Sequence, residues 1–175
     1  MATIKQALMP EHEAIIRDLF AQYLRWVCQS IQEESGVVFE AESMIVHDMQ
    51  TIDTFLPPAG TLLLSYEDGH PAGCACTRTI GEEIAELKRM YVRPQCRDRG
   101  IGSKLVHESI RLVKERGYSA MRHDSVRFMS DAQRIYRSCG FKDILTKAVR
   151  YQGSTGSTRC SWNWNLRQVS GKTSY

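Results

Sequence analysis

Three apolar runs follow one another between residues 61 and 92 with almost nothing between them. Thr61–Tyr66, Ala72–Ile80 and Ile84–Val92 are separated only by the turn at Glu67-Asp68-Gly69 with His70-Pro71, and by the turn at Gly81-Glu82-Glu83. Linkers this short join antiparallel neighbours, because a parallel crossover needs about a dozen residues or more. The chain must therefore build a three-strand meander, and everything else has to pack on it. Cys74 and Cys76 stand two apart on the middle run and share one of its faces.

Upstream, Thr3–Leu8 reads as a short strand. Pro10, Glu11 and Glu13 open a helix with the proline and acids that a first turn prefers. Ile16, Leu19, Phe20, Tyr23 and Val27 recur along it at helical spacing. Ser35-Gly36 breaks this segment, a second helix covers Glu42–Gln50, and Leu56-Pro57-Pro58-Ala59-Gly60 is a turn. Downstream the pattern changes. Leu105, Ser109 and Leu112 beside Val106, Ile110 and Val113 predict a helix that Gly117 stops. Ala120–Asp124 is a strand, and Ser130-Asp131-Ala132-Gln133 reads as a capping box for a last helix with Ala132, Ile135, Tyr136 and Cys139 on one face. Phe141–Val149 and Cys160–Leu166 close the sheet around a turn at Gly153-Ser154-Thr155-Gly156, and residues 167–175 form a loose tail. The sum is one α+β domain over residues 1–166, with a mixed sheet and helices. A length of 175 residues leaves no room for two ordinary domains.

Composition excludes several classes. With 42% hydrophobic and 25% charged residues, the chain is neither disordered nor collagenous. No run approaches the roughly 18 apolar residues of a membrane span, and the N-terminus lacks the apolar core of a secretory signal. The six cysteines form no C-x-x-C and no His pair stands at zinc spacing, which points to reduced thiols in a cytosolic protein without a metal. The five histidines are scattered, and none stands out. The net charge of +3 hides an asymmetry: residues 1–87 sum to −10 and residues 88–175 to +13. Either two solvated faces differ, or two sites of opposite sign nearly cancel.

The positive excess is densest around Arg97-Asp98-Arg99-Gly100-Ile101-Gly102, between the meander and the third helix. A Walker A loop fails here because no glycine stands five before Gly102, and a Rossmann fingerprint fails because position 105 is Leu. The loop still has the makings of an anion cradle. Glycines let backbone N–H groups turn to one point, the helix that follows offers its positive end, and Arg93, Arg97, Arg99 and Lys104 add charge. A pyrophosphate suits it.

Two motifs carry a resemblance. Ala85-Glu86-Leu87-Lys88-Arg89-Met90-Tyr91-Val92-Arg93-Pro94 followed by the basic glycine loop is similar to the central motif of the GNAT acetyltransferases. About 40 residues on, Ala132-x-x-Ile135-Tyr136-x-x-x-Gly140-Phe141 resembles that superfamily's second motif. The resemblance spans roughly residues 2–166 and is nearest to small bacterial-type N-acetyltransferases of unassigned substrate. It implies a mixed, largely antiparallel sheet whose two central strands splay apart to admit acetyl-CoA as co-substrate. On that expectation the backbone of Met90, Tyr91 and Val92 pairs with the pantetheine arm. The N–H groups of Arg97, Asp98, Arg99, Gly100, Ile101, Gly102 and Ser103 bind the pyrophosphate. Tyr136 stands as general acid for the leaving thiolate and Glu86 as general base. The family's frequent asparagine seven before the tyrosine is replaced by Met129, so a side-chain hydrogen bond to the pantetheine is lost there.

The chemistry agrees with these residue types. An alkylamine near pKa 10 must lose a proton before it attacks a thioester, so a carboxylate acting directly or through water helps. Strand alternation puts Glu86, Lys88, Met90 and Val92 on one side together, and Glu86 has Lys88 and Arg78 as alternative surface partners. The acidic first half favours a cationic acceptor: a small amine, an exposed lysine or an N-terminal amine. Trp162 and Trp164 read as packing residues rather than a cover over the acceptor mouth. Nucleic-acid and membrane partners are not expected, and a homodimer stays open. The competing reading is a catalytically silent acetyl-CoA sensor, which would need neither Glu86 nor Tyr136.

Overall fold

The computed structural model describes residues 1–126, 128–144 and 159–165, with residues 143–144 and 159–165 described by backbone alone. The meander is there: β2 (Gly60–Glu67), β3 (His70–Gly81) and β4 (Ile84–Val92) pair antiparallel in sequence order, and β1 (Thr3–Gln6) adds to the outer edge of β2. On the far side of β4 the sheet continues through β5 (Ala120–Val126), β7 (Arg159–Asn165) and β6 (Lys142–Ile144), giving the order β1-β2-β3-β4-β5-β7-β6. Among the described strands, only β4 and β5 run parallel. The expected strand Phe141–Val149 is seen as far as Ile144. The turn Gly153–Gly156, the tail 167–175 and the side chains of Cys160, Trp162 and Trp164 lie outside the described residues.

Among the described residues, four α-helices cover the two faces. The helix α1 (Glu13–Ser35) ends on Gly36, whose φ of 73° closes the last turn. It buries Ile16, Leu19 and Phe20 with Leu62, Leu64, Cys74, Cys76 and Tyr91, and α2 (Ala41–Gln50) packs beside it. On the other face α3 (Ile101–Glu115) sets Leu105, Val106, Ile110 and Val113 against Leu63, Ala75, Ala85 and Leu87. The short α4 (Ser130–Ser138) adds Tyr136 to that same cluster. Among the described residues, no helix is long and apolar enough to cross a membrane.

Two expectations need correction. The capping box does not form: Met129 holds the N-cap position of α4 without a side-chain cap, and Gln133 reaches back to donate to the Val126 carbonyl at 3.0 Å. That bond ties the helix to the end of β5 instead of to its own first turn. Strict alternation along β4 also fails. Lys88 pairs with Cys76 and Tyr91 with Cys74, so Arg89 and Met90 both stand opposite Ala75. Arg89 takes a left-handed φ of 50° at this bulge. The extra residue shifts the phase: Lys88 and Tyr91 share the α1 face, whereas Met90 and Val92 turn with Leu87 towards α3.

Candidate active site

The parallel ladder of β4 and β5 has four rungs, from Ile84↔Ala120 to Leu87↔His123, and ends there. Both strands continue, β4 to Val92 and β5 to Val126, without pairing to each other. The central strands are thus splayed, and a cavity opens on each side of the gap.

The first cavity, about 320 Å3, lies between β4, the start of α3 and the start of α4. Met90, Tyr91, Val92, Arg97, Asp98, Gly100, Ile101, Gly102 and Ser103 line it, facing Phe128, Met129, Ala132 and Ile135, with Trp26 of α1 at the rim. Gly100 holds the N-cap of α3 at φ 73°, and no side chain caps the helix. The first helical N–H to find its carbonyl is that of Lys104, on Gly100, so the N–H groups of Ile101, Gly102 and Ser103 have no acceptor within the helix. A Cβ at Gly102 would come within 2.9 Å of Ile135 Cδ1, so glycine lets α3 and α4 close up here. A mouth of donor N–H groups at a helix's positive end, leading into an apolar slot, fits a pyrophosphate with an extended arm.

The side-chain charge is arranged differently from the sequence expectation. Arg97 stays at the cavity, donating to the Val92 carbonyl at 3.1 Å and stacking over Trp26 and Tyr91. Arg99 instead pairs with Glu67 at 2.8 Å and Arg93 with Asp18 at 2.6 Å, while Lys104 is exposed and off the wall. Acidic residues far away in sequence draw these cations off, which no local pattern reveals.

The second cavity, about 240 Å3, lies on the α1 and α2 side. Tyr23, Val27, Ile31, Phe39 and Met44 form an apolar wall, and Glu86, Lys88, Arg89, His123 and Asp124 supply polar groups. Met129 lines both cavities. Glu86 is 9% exposed and held from two sides, by Arg78 Nε at 2.7 Å and Lys88 Nζ at 3.5 Å. Burial pushes the Lys88 ammonium below its ordinary range, with Glu86 acting against that shift. Arg89 is bound to Asp48 of α2 and lies over the Tyr23 ring. The cavity therefore holds both signs of charge, not the uniformly acidic surround suggested by the sum over residues 1–87.

Tyr136 is 2% exposed and packs edge-on against Phe141. Burial pushes its phenol well above 10, so it is in the protonated, donating form throughout the physiological range. It lies 4.1 Å, ring to ring, from His123. His123 was unremarkable in the sequence, yet it occupies the last rung of the ladder. Its Nδ1 is 2.9 Å from the Leu87 carbonyl, which can only accept, so Nδ1 carries the proton. Burial lowers its pKa to about 4, leaving a neutral imidazole at the apex of the splay. Only its spacing on β5 opposite Leu87 marks it out, and that register is a tertiary fact.

Known proteins share the family signature and the fold. Residues 17–141 match the family described as the Acetyltransferase (GNAT) family. An uncharacterized N-acetyltransferase of Schizosaccharomyces pombe is 38% identical over 88 residues, 49% of this chain and 54% of that protein. The match therefore spans about half the length of that curated relative. The PaiA N-acetyltransferase of Thermoplasma acidophilum, solved in complex with coenzyme A, superposes with a TM-score of 0.72 at 19% identity, covering 94% of this chain and 99% of its own. YncA of Salmonella typhimurium, solved with its cofactor acetyl-CoA, gives 0.70 at 15% identity, covering 100% and 99%.

Proposed function

The chain belongs to the acetyltransferase (GNAT) family, and on that premise we propose that it moves an acetyl group from acetyl-CoA to a primary amine by direct attack in a ternary complex. The observation that carries this reading is the end of the β4–β5 ladder at Leu87↔His123, with a donor-mouthed apolar slot on one side and a mixed polar cavity on the other. Acetyl-CoA supplies the thioester. In this reading the backbone of Met90, Tyr91 and Val92 holds the pantetheine arm, and the N–H groups from Arg97 to Ser103 hold the pyrophosphate. Arg99 adds only its backbone, since its guanidinium is on Glu67.

Glu86 takes the proton that the attacking amine loses. Both of its oxygens are engaged by cations, so that proton reaches it through water or by displacing Lys88. Tyr136 gives its phenolic proton to the leaving sulfur. Glu86 and Asp124 in the second cavity support a cationic acceptor, and the wall of Tyr23, Val27, Ile31, Phe39 and Met44 supports one with an apolar body. A small amine, a protein lysine and an N-terminal amine all meet that description.

The silent-sensor alternative draws on one observation, the capture of Glu86 by Arg78 and Lys88. A free-thiol assay separates the two. Acetyl-CoA is supplied with a panel of primary amines that includes 2-phenylethylamine, lysine peptides and peptides with free N-termini. CoA release that depends on an amine supports the transferase. Binding of acetyl-CoA without release across the panel supports the sensor, and no binding at all removes both.

A further inference from the structure

The second cavity already contains a primary amine. Lys88 follows directly on Leu87, the last residue of β4 paired with β5, and the phase of the strand turns it to the α1 side, away from Leu87 and towards the wall of Tyr23 and Val27. Its side chain is 21% exposed, its Nζ is 3.5 Å from Glu86 Oε1, and it lines the cavity beside the splay. The neighbouring cations are tied more tightly. Arg89 makes a two-point pair with Asp48, and Arg78 holds Glu86 Oε2 at 2.7 Å. Lys88 is the cation with the longest ion-pair distance of the three.

We propose that Lys88 is a self-acetylation site: without an external amine, its Nζ takes the acetyl group from acetyl-CoA bound in the same chain. The inference rests on the proposed transferase reading. The atoms balance without any further reactant. A Lys88 Nζ–carbon bond forms and the carbon–sulfur bond of the thioester breaks. The Lys88 ammonium first gives one proton to solvent by way of Glu86. As the neutral amine attacks, its second proton goes to Glu86 and on through water to restore Tyr136, which has given its own phenolic proton to the CoA thiol. Two features favour the step. Burial already weakens the hold of Lys88 on its proton, and a carboxylate stands beside the nitrogen to receive it. The product is a neutral amide, which ends the Lys88–Glu86 pair and leaves Glu86 with Arg78 alone.

The test is to incubate the protein with acetyl-CoA and no amine, then map acetylated peptides by mass spectrometry over time. The expected result is one acetyl group at Lys88, gained at a rate that does not change across a tenfold range of protein concentration, as an intramolecular step demands. The same chain unfolded in urea loses the preference for Lys88 over exposed Lys5 and Lys104. Lys88→Arg gains no acetyl group at that peptide, and Glu86→Gln gains it at least about fivefold more slowly. The proposal is overturned if Lys88 remains unmodified, is modified no faster than Lys5 and Lys104, or is modified at a rate proportional to protein concentration. Amine-dependent CoA release with Lys88 unmodified would overturn the proposal while leaving the transferase reading intact. Absence of both, with no acetyl-CoA bound, would overturn both.

Discussion

Arg89 and Asp48 meet in a two-point ion pair, Nε to Oδ2 at 2.5 Å and Nη2 to Oδ1 at 2.9 Å, that pins α2 to the bulge of β4. Both side chains are largely buried, so neither charge can fall back on water. Asp48→Ala should cost about 3–5 kcal/mol in urea unfolding, because it strands the guanidinium. Adding Arg89→Met should recover part of that loss, since the stranded charge is then gone. Simple additivity of the two substitutions would count against this account.

The roles given to Glu86 and Tyr136 predict that Glu86→Gln and Tyr136→Phe each lower kcat by at least about tenfold while the fold is retained. Circular dichroism checks the fold, and CoA release checks the rate. The Tyr136 phenol is held well above 10 by burial, so its ionisation should add no alkaline loss of rate below pH 9. An unchanged rate in either variant removes that residue from the mechanism.

His123 makes stability depend on pH. Its pKa falls from an ordinary 6.5 to about 4 through burial, with its bond to Leu87 and the charges of Asp124 and Glu86 opposing that shift, and Lys88 reinforcing it. Tyr136 covers its ring. The unfolded chain therefore binds a proton that the folded chain refuses between those two values. The stabilisation is fully present above pH 6.5 and is lost as pH falls towards about 4. The contribution is roughly 3 kcal/mol. Urea midpoints at pH 7.5 and 4.5 should differ less in His123→Phe than in the parent, and equal differences would contradict the assignment.

Thiol reactivity should follow burial. Cys74 is pushed up to about 12 and Cys76 well above its ordinary range, both by desolvation. Cys96 is only half-buried and lines the proposed cofactor cavity. Iodoacetamide at pH 8 should label Cys96 well before Cys74 or Cys76, because the thiolate is the reacting form. Acetyl-CoA should slow the labelling of Cys96 severalfold. Peptide mapping reads both effects, and indifference of Cys96 to acetyl-CoA would place the cofactor elsewhere.

Local patterns carried much of this structure. The turns at Glu67-Asp68-Gly69 and Gly81-Glu82-Glu83 sit between apolar runs, so the meander follows from neighbours in sequence, and the bounds Ile84–Val92 coincide with β4. The rows of apolar residues in α3 and the glycine loop before it are local in the same sense. What escaped is contact across the chain. Glu67 and Asp18 claim Arg99 and Arg93, and Gln133 prefers the Val126 carbonyl to the capping box. His123 matters because of what lies opposite it. None of these partners lies within one turn or one strand of the residue it engages, apart from Val126, which lies just across the loop from α4.

The bulge at Arg89 also divides the labour of β4. Without it, one face of the strand would run from Glu86 through Lys88 to Met90 and Val92, and the proposed proton-handling groups would share a surface with the proposed slot for the cofactor arm. One inserted residue rotates the second half of the strand by half a turn of the pleat, so a single continuous strand serves two compartments. Removing one residue at this point would leave every neighbouring side chain present and yet exchange the compartments they address.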